Sequence, residues 1–537
     1  MPIPNGMPTP GDPMGRPIPA DISINNHHPN DPDRILFKNV QILDSTGREP
    51  YLGDVLLEGT TIKQVGEVSN FTPDAQTTII DGKGKKTLMS GLCDSHTHLS
   101  WNNSPTLDGL TNLPIEEHVL HTANSAKLYL DCGYTMCFGA AAAQPRLDIV
   151  TKAAVKSGMI SGPRILANGQ EISTTGGAIV PSVTRYADGV DEMRKAVRYF
   201  CSLGVDNLKL SMTGDEIHDT MRSEETYFTL EETKAAVDEA HMRGKRVCAH
   251  ARSNDAVKQC AKAGVDVIYH ASFADDEAID MLEKIKDRVY ISPAINFPYT
   301  SATGEAIPYG LTPEMAVKKG LKREVEIAAV AMKKMHAKGI RILPGGDYGF
   351  AWAPHGTYAR DLAHFVNMFG HTPMESIIAA TAMGGEIMGH PDVLGKVLPG
   401  YYADVILVDG NPLEDISILQ DTKNIHAIVI NGHLHKNSEK GAFIPRGSDH
   451  LPMRVVPDGE SVIPVRGKKQ QQAKKVPVDD LPSTKIETSA TNGTNGHANG
   501  AGANGDTNGD AATGDQGIVK GDNGERTGVS AEVVKGL

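Results

Sequence analysis

The chain has 537 residues and a formal net charge of −13 at pH 7, so it is too long for one compact core and unsuited to a nucleic acid or an anionic membrane as its main partner. Hydrophobic residues make up 39% of the sequence and no apolar run reaches the length of a membrane span, so we expect a globular, cytoplasmic protein. The six cysteines form no C-x-x-C pair, which favours buried reduced thiols over a disulfide framework.

The two ends of the chain are predicted to be disordered. Residues 1–32 are rich in Pro, Gly and Asn, and residues 446–537 are mostly low-complexity sequence rich in Asn, Gly, Thr and Asp. Such segments bury too little apolar surface to offset their conformational entropy. A basic patch at residues 466–475 is expected to be a solvated part of this tail, with a nuclear-targeting signal as the alternative.

Two stretches between these ends have the pattern of short β-strands. Residues 33–88 and 396–445 contain short apolar runs that are punctuated by glycines. This pattern is typical of a small antiparallel β unit. We expect the two stretches to form one discontinuous β-sandwich domain.

Residues 89–395 alternate between short apolar runs and amphipathic stretches. Strands are predicted at residues 134–138, 164–167, 207–210, 246–249, 267–269, 289–291 and 340–343, and helices at residues 126–131, 190–203, 230–243, 254–263 and 322–338. The alternation indicates βαβ units with parallel strands, and its length fits an α/β fold of the (β/α)8, TIM-like barrel type. A doubly wound sheet is the alternative, but no glycine-rich phosphate turn follows Leu88.

The first apolar run of this region leads into His96-Thr97-His98. Side chains two apart in a strand point to the same side, so these two imidazoles would converge and could bind a transition metal such as zinc. His-x-His alone is a weak signal, and two structural histidines in a loop are the alternative.

Further polar residues stand at the ends of other predicted strands. Lys209 lies in an apolar strand, His250 and His270 end the next two, and Asp347 follows the last one. The active site of an α/β barrel lies at the carboxyl ends of its strands, where these groups would meet the two histidines of the first strand. Four histidines, a lysine and an aspartate in that position predict a metal centre.

The chain resembles the amidohydrolase superfamily of metal-dependent hydrolases over residues 34–440. The resemblance rests on residues 53–59, on the His96-Thr97-His98 motif, and on residues 400–405 and 410–413. It points to the branch of imidazolonepropionase-like proteins, Xaa-Pro dipeptidases and ochratoxinase-type amidases, through residues 161–164, 249–251 and 264–270.

The resemblance implies a metal-binding role for each strand-end residue. His96 and His98 would bind one metal ion and His250 and His270 a second, while Lys209, carboxylated on its amine by CO2, would bridge the two. An ammonium group cannot bind a cation, whereas a carbamate offers an anionic oxygen; a buried lysine paired with a carboxylate is the alternative. Two divalent ions are expected, with zinc as the metal and a one-metal site as the alternative.

Asp347 would bind the first metal ion as well and act as general base and acid. Metal-bound water with a pKa of about 7 could then attack a carbonyl carbon. The predicted function is hydrolysis of an amide, peptide-like bond of a small molecule. Alternatives are deamination, lactone hydrolysis or decarboxylation at the same metal site, and an inactive scaffold; such scaffolds typically lose metal ligands, and none is lost here.

Four further residues are candidates for substrate binding. Arg252 could form a fork with a substrate carboxylate, and His355 could contact the substrate or assist proton transfer. The alternatives are a structural ion pair for the arginine and a solvated loop position for the histidine. Trp101 and Tyr348 could form apolar pocket walls or simply pack. Residues 296–312 are predicted to form a lid.

Two departures from the family's pattern concern the pocket. Residues 134–138 lack the Arg-Asp pair that many relatives carry after the second strand, and residues 174–178 lack the histidine that often follows the paired glycines. We therefore expect an intact metal site and an unusual substrate pocket. The expected partner is a small molecule, and assembly into a homo-oligomer is expected because superfamily members often assemble.

Overall fold

The computed structural model describes residues 20–26, 32–218 and 220–438, so the predicted C-terminal tail and its basic patch lie outside the described residues. The strands are β1 (Arg34–Leu43), β2 (Tyr51–Glu58), β3 (Thr61–Gly66), β4 (Thr77–Asp81), β5 (Lys86–Ser90), β6 (Leu92–Thr97), β7 (Tyr134–Gly139), β8 (Arg164–Leu166), β9 (Glu171–Ser173), β10 (Thr184–Tyr186), β11 (Asn207–Ser211), β12 (Arg246–Ala251), β13 (Val267–His270), β14 (Tyr290–Ser292), β15 (Val405–Asp409), β16 (Ile425–Ile430) and β17 (His433–Asn437).

The helices alternate with the strands of the middle region and follow them. They are α1 (Ile115–Asp131), α2 (Leu147–Lys156), α3 (Gly189–Leu203), α4 (Leu230–His241), α5 (Asn254–Ala263), α6 (Asp276–Glu283), α7 (Asn296–Ala302), α8 (Pro313–Lys318), α9 (Leu321–Ala337), α10 (Arg360–Phe369), α11 (Pro373–Ala380) and α12 (Ala382–Ile387). Within the described part of the chain, none of them combines the length and apolarity that crossing a membrane requires.

Strands from both sides of the α/β region pair in a single sheet. Its order is β17-β16-β15-β5-β1-β2-β3, and β4 also pairs with β1. The first half of β1 pairs with β4 and its second half with β5, on either side of a register shift between Phe37 and Val40. The strands of the two predicted stretches pair with each other, and all eight belong to one hydrogen-bonded path in which the irregular β1 holds β4 and β5 along one edge.

The α/β region contains two parallel sheets, β6-β7-β8 and β10-β9-β11-β12-β13-β14. Regular pairing does not close them into the predicted eight-stranded ring. The last predicted strand, residues 340–343, makes an isolated bridge between Ile342 and Ile291 in β14. The chain then reaches β6 through a 3.0 Å hydrogen bond from Ser95 N to Pro344 O.

The irregularity at residues 340–347 has a local cause. Proline has no N–H to donate to a ladder, and Gly345 and Gly346 follow it directly. The fold is therefore TIM-barrel-like with an irregular seam, defined here as residues 340–347, between β14 and β6. Asp347 lies at the end of this seam.

The segment of residues 20–26 lies against the folded chain, although the sequence placed it in a flexible arm. Ile22 and Ile24 are 4% and 7% exposed. Arg164 Nη1 donates a 2.7 Å hydrogen bond to Ile22 O, and Asn431 Nδ2 donates a 2.8 Å hydrogen bond to Ile24 O. Two alternating isoleucines therefore anchor this part of a segment whose average composition is polar.

A buried ion pair connects the α/β region with the first sheet. Arg164, the first residue of β8, donates from Nε to Asp404 Oδ2 at 2.7 Å and from Nη2 to Asp404 Oδ1 at 2.9 Å. Nη2 also donates to Asn431 Oδ1 at 3.1 Å, and the guanidinium lies 4.1 Å from the ring centroid of Tyr402. We call Arg164, Asp404 and Asn431 the arginine hub; it lies at the amino end of its strand.

Candidate metal centre

Two histidines mark the carboxyl end of β6. The ring centroids of His96 and His98 are 5.0 Å apart, and both side chains are 1% exposed. The ring of His96 stacks on Tyr269 at 3.7 Å, and that of His98 stacks on Trp101 at 3.5 Å. Aromatic packing on both sides therefore fixes the two imidazoles and confirms that they converge.

The backbone determines which nitrogen of His98 faces the site. His98 Nδ1 lies 2.9 Å from Ala141 O, so this nitrogen donates to the carbonyl. Nε2 then lies 3.1 Å from Asp347 Oδ1. A backbone carbonyl that fixes the tautomer and orientation of one ring nitrogen is the usual arrangement for a metal-binding histidine.

The seam brings Asp347 to the histidines through unusual backbone geometry. Asp347 has φ 59° and His270 φ 70°, both in the left-handed region that non-glycine residues rarely adopt. At Gly345, a Cβ would lie 2.7 Å from His96 N, so only glycine permits the approach of the seam to β6. Backbone strain of this kind persists where the surrounding structure imposes it, commonly at functional sites.

Several polar atoms at this point are buried without a partner. His96, His270 and Asp347 each offer a ligand atom within 4.8 Å of the others. The atoms without a hydrogen-bond partner among the described residues include both ring nitrogens of His96 and of His270, while His98 Nε2 and Asp347 Oδ1 face each other at 3.1 Å. Buried polar groups are nearly always paired, so this donor set fits a cation such as Zn²⁺. We call His96, His98, His270 and Asp347 the metal cluster.

The electrostatic environment keeps the histidines neutral. Burial lowers the pKa of His98, and it lowers the pKa of His96, His250 and His270 well below the ordinary value. The charge of Lys209 acts in the same direction on each of them. Neutral imidazoles have a free lone pair, which is the form that binds a metal.

Lys209 is buried in β11 without a counter-ion. It is 3% exposed, and its Nζ lies 4.7 Å from the ring centroid of Tyr269. Within the described ranges, no carboxylate forms an ion pair with it. The alternative of a lysine paired with a carboxylate therefore does not describe this structure.

His250 lies at the edge of the metal cluster. Its ring centroid is 4.3 Å from that of His270, and its Nε2 is 3.2 Å from Gly214 O. The group with ligand atoms within 4.8 Å of one another, His96, His270 and Asp347, does not include His250, although His250 lines the adjoining pocket together with Lys209. The predicted ligands thus meet in one place, with these two further apart from the rest.

A pocket opens over the metal cluster. The predicted residues that line it are His96, His98, Trp101, Lys209, His250 and Asp347. Its wall also contains residues that the sequence analysis missed, namely the carboxylates Glu171 and Asp215 and the apolar side chains Leu107, Ile179, Val180, Ile217, Phe297 and Phe350. Phe297 belongs to α7, so the predicted lid at residues 296–312 is partly helical and contributes to the wall.

Arg252 lies behind this wall and does not line the pocket. It is 1% exposed; its Nη2 is 2.6 Å from Asp215 Oδ2, and its Nη1 donates to Glu324. Burial alone would lower its pKa, but Asp215 and Glu324 hold the pKa above the ordinary value. The structural ion pair, and not the predicted fork to a substrate carboxylate, describes Arg252.

His355 and Tyr348 also lie behind the pocket, fully buried. His355 Nε2 is 2.8 Å from Trp101 O, and Tyr348 donates from its hydroxyl to Tyr358 O at 3.0 Å. Neither side chain lines the pocket. Of the four predicted substrate contacts, Trp101 alone lines the pocket; among the other three, His355 contacts the backbone of Trp101.

Comparison with known proteins agrees with this geometry. Residues 87–435 match the sequence model of the Amidohydrolase family. Ochratoxinase from Aspergillus niger is 28% identical over 395 residues, which are 67% of this chain and 78% of that protein. The crystal structure of a Xaa-Pro dipeptidase with bound methionine is 26% identical, with a TM-score of 0.67 over 75% of this chain and 100% of that chain.

The crystal structure of the A. niger ochratoxinase superposes with a TM-score of 0.66 over 76% of this chain and 96% of that chain; at 24% identity it shows the shared fold alone. The match of the family model covers more than half of the sequence and confirms the branch that the motifs predicted. The chain therefore belongs to the amidohydrolase family and is a hydrolase of carbon–nitrogen bonds.

Proposed function

We propose that this chain is a metal-dependent hydrolase that cleaves an amide bond of a small molecule. The observation that carries the proposal is the metal cluster, in which buried donors without partners converge beneath a pocket. Each such atom costs about 1–3 kcal/mol if it stays unpaired. A cation would compensate that cost and would explain why these residues are buried together.

The ligands fall into two sets. His96, His98 and Asp347 would hold one divalent ion, and His250 with His270 would hold a second. Nitrogen and carboxylate oxygen donors in this combination suit zinc. When bound, such ions supply a water of lowered pKa and polarise the scissile carbonyl.

Lys209 would join the two sets as a carbamate. Its amine lies against the ring of Tyr269 without a carboxylate partner among the described residues, and carboxylation by CO2 would convert it into an anionic oxygen ligand. The same ring stacks on His96. Tyr269 would therefore set the spacing between this ligand and the first histidine.

Asp347 would move the proton. Its Oδ1 lies 3.1 Å from His98 Nε2, and its side chain lines the pocket. It would take a proton from the attacking water and deliver it to the leaving nitrogen as the tetrahedral intermediate collapses. Trp101, Phe297 and Phe350 line the same pocket and would exclude other water molecules.

A metal-exchange experiment tests this proposal. The full chain is treated with a chelator, reloaded with Zn²⁺, Mn²⁺ or Co²⁺, and assayed on dipeptides, N-acyl amino acids, amino-substituted rings and lactones. We expect amide hydrolysis in the reloaded protein, and Asp347→Asn should lower kcat by about 10²–10⁴-fold, as for loss of a general base. Asp392→Asn removes an exposed carboxylate and should leave turnover unchanged.

The carbamate has its own readout. With ¹³C-labelled bicarbonate, NMR should show a carbamate resonance in the wild-type protein that is lost in Lys209→Met. Chelated protein that hydrolyses amides as fast as the reloaded protein would overturn the metal requirement. If the reloaded protein preferred lactones or ring deamination, that reaction would take the place of amide hydrolysis as the proposed function.

A further inference from the structure

We propose that the pocket selects substrates that carry a positively charged group, and that Glu171 is the residue that binds this group. The inference rests on the proposed function, since it concerns the substrate class of the same site. It follows from the charge distribution on the pocket wall, which neither the metal ligands nor the proposed proton transfer account for.

Glu171 is a buried carboxylate with one oxygen free. It begins β9, is 6% exposed and lines the pocket. Its Oε1 accepts a 2.9 Å hydrogen bond from Thr184 Oγ1, and no hydrogen bond or ion pair engages Oε2 in the described ranges. A buried carboxylate is costly unless it is paired, and a cationic ligand would provide the missing partner.

Lys209 does not serve as that partner. It lines the same pocket, yet no ion pair within 4.0 Å joins it to Glu171 among the residues that the structure describes. In the proposed metal site, Lys209 is a carbamate and therefore anionic. In this proposal the partner of Glu171 Oε2 is a cationic group of the ligand, in addition to the metal ions bound by the histidines and Asp347.

A second carboxylate on the wall adds to the negative charge. Asp215 lines the pocket and pairs with Arg252 at 2.6 Å. The same guanidinium also pairs with Glu324, which accepts a further 2.7 Å hydrogen bond from Ser272 Oγ. Asp215 and Glu324 thus share the one guanidinium of Arg252, and Asp215 adds a second acidic side chain to the pocket wall.

Among the described residues, the wall away from the proposed metal site offers few basic groups to a substrate carboxylate. Apart from histidines, Lys209 is the one basic side chain that lines the pocket, and the guanidinium of Arg252 is occupied. The faces of Trp101, Phe297 and Phe350 stand on the apolar side, where they suit an aliphatic stem or a cation–π contact. The geometry therefore fits an amine or guanidinium on an aliphatic stem, such as a lysine-like or arginine-like part of an amide.

Isosteric substrate pairs test this inference. The metal-loaded full chain is assayed on dipeptides in which lysine is exchanged for norleucine, or arginine for citrulline, on either side of the scissile bond. We expect kcat/KM to favour the charged member by at least about tenfold, as for a desolvated ion pair. Glu171→Gln should abolish this preference, because glutamine can still accept from Thr184 but carries no charge.

Two further variants control for folding and for net charge. Glu171→Asp keeps the charge on a shorter side chain and should retain part of the preference. Glu231→Gln removes one charge from the exposed start of α4 and should leave the preference unchanged. Melting temperatures compare the folded state of all variants with the wild type.

Calorimetric titration with N-acetyl-lysine amide and N-acetyl-norleucine amide gives a readout that needs no turnover. Tighter binding of the lysine compound that depends on Glu171, without hydrolysis of any amide, would support the inference and overturn the proposed function. Hydrolysis with equal use of lysine and norleucine, or a preference that persists in Glu171→Gln, would overturn the inference and leave the proposed function standing.

Discussion

The arginine hub and the metal cluster are both buried groups of charged and polar side chains, but they differ in how their atoms are paired. Every nitrogen of the Arg164 guanidinium donates a hydrogen bond, and both oxygens of Asp404 accept one. In the metal cluster, by contrast, both ring nitrogens of His96 and of His270 lack a partner among the described residues.

This difference distinguishes buried polar groups that stabilise the fold from buried polar groups that are available to a ligand. Completed hydrogen bonds at the hub hold strand β8, the first sheet and residues 20–26 together. If the proposed metal site is correct, the unpaired ligand atoms at the carboxyl ends of the strands make the metal-free protein less stable than its packing allows, a cost that proteins commonly bear at functional sites. The number of partners, more than the depth of burial, indicates which residues act on a ligand.

Breaking the hub should have the largest effect on stability. Arg164→Met would leave Asp404 buried without its cation and should lower the free energy of unfolding by about 3–5 kcal/mol. Urea titration of the metal-loaded protein measures this. The double variant Arg164→Met/Asp404→Leu should recover part of the loss because both charges are removed. A single variant within about 1 kcal/mol of the wild type would contradict the structural role of the hub.

The buried carboxylate of Asp148 extends the comparison to the pH dependence of stability. Asp148 is fully buried, and burial raises its pKa from 3.8 to about 7, although the backbone N–H of Asn168 acts in the opposite direction. Between these values the unfolded chain releases a proton that the folded protein retains, so the contribution of Asp148 to stability falls as pH rises and is lost above pH 7.

Asp148→Asn removes this dependence. Relative to the wild type, the variant should gain about 2–3 kcal/mol in free energy of unfolding between pH 5 and pH 8. Urea titrations at both pH values measure the gain. Asp191→Asn, at an exposed position in the first turn of α3, should show no such gain. Equal behaviour of the two variants would mean that Asp148 is ionised in the folded protein.

Replacing a metal-cluster residue should have a smaller effect on stability, and in the opposite direction. His96→Phe keeps the stack on Tyr269 but removes two unpaired nitrogens, so the metal-free protein should be unchanged or up to about 1–2 kcal/mol more stable. Elemental analysis should show loss of bound metal in the same variant. Destabilisation of the metal-free form would indicate that the histidine has a structural role as well.

A local polar motif at the surface gives the smallest expected effect. At the start of α4, Glu232 N donates to Thr229 Oγ1 at 3.2 Å, and Thr229 N donates to Glu232 Oε2 at 2.8 Å. Thr229→Ala should therefore lower the free energy of unfolding by about 1 kcal/mol. If Thr229→Ala lowered the free energy of unfolding as much as Arg164→Met does, burial would contribute little to the difference in stability between this helix cap and the arginine hub.

The metal cluster could be predicted from the sequence because its signals are local. A histidine or aspartate that ends an apolar run marks the carboxyl end of a strand, and parallel strands bring these ends together. Amphipathic periodicity, another local signal, predicted helix α5 with the observed ends, Asn254–Ala263. Helix α1 is longer than predicted, since its first half, from Ile115, has little apolar periodicity to reveal it.

Partner choice could not be predicted because it depends on contacts distant in sequence. Arg252 pairs with Glu324, 72 residues away, and His355 contacts Trp101 O, 254 residues away. The strand predicted at residues 340–343 is reduced to a bridge between Ile342 and Ile291, and Pro344, which follows it, cannot donate a backbone hydrogen bond to extend it. Glu171 had a weaker signal: a charged residue directly before the buried Ile172 in a short strand.

The anchoring of residues 20–26 has a consequence for the order in which the protein folds. This segment is made early, yet its partner Asn431 is 407 residues further along the chain, and the Arg164–Asp404 pair spans 240 residues. Contacts of such sequence separation form late because loop closure must come first. During synthesis this segment can meet Lys156 first, through the hydrogen bond from Asn25 N to Lys156 O, and its anchoring is completed only when almost the whole described chain has emerged.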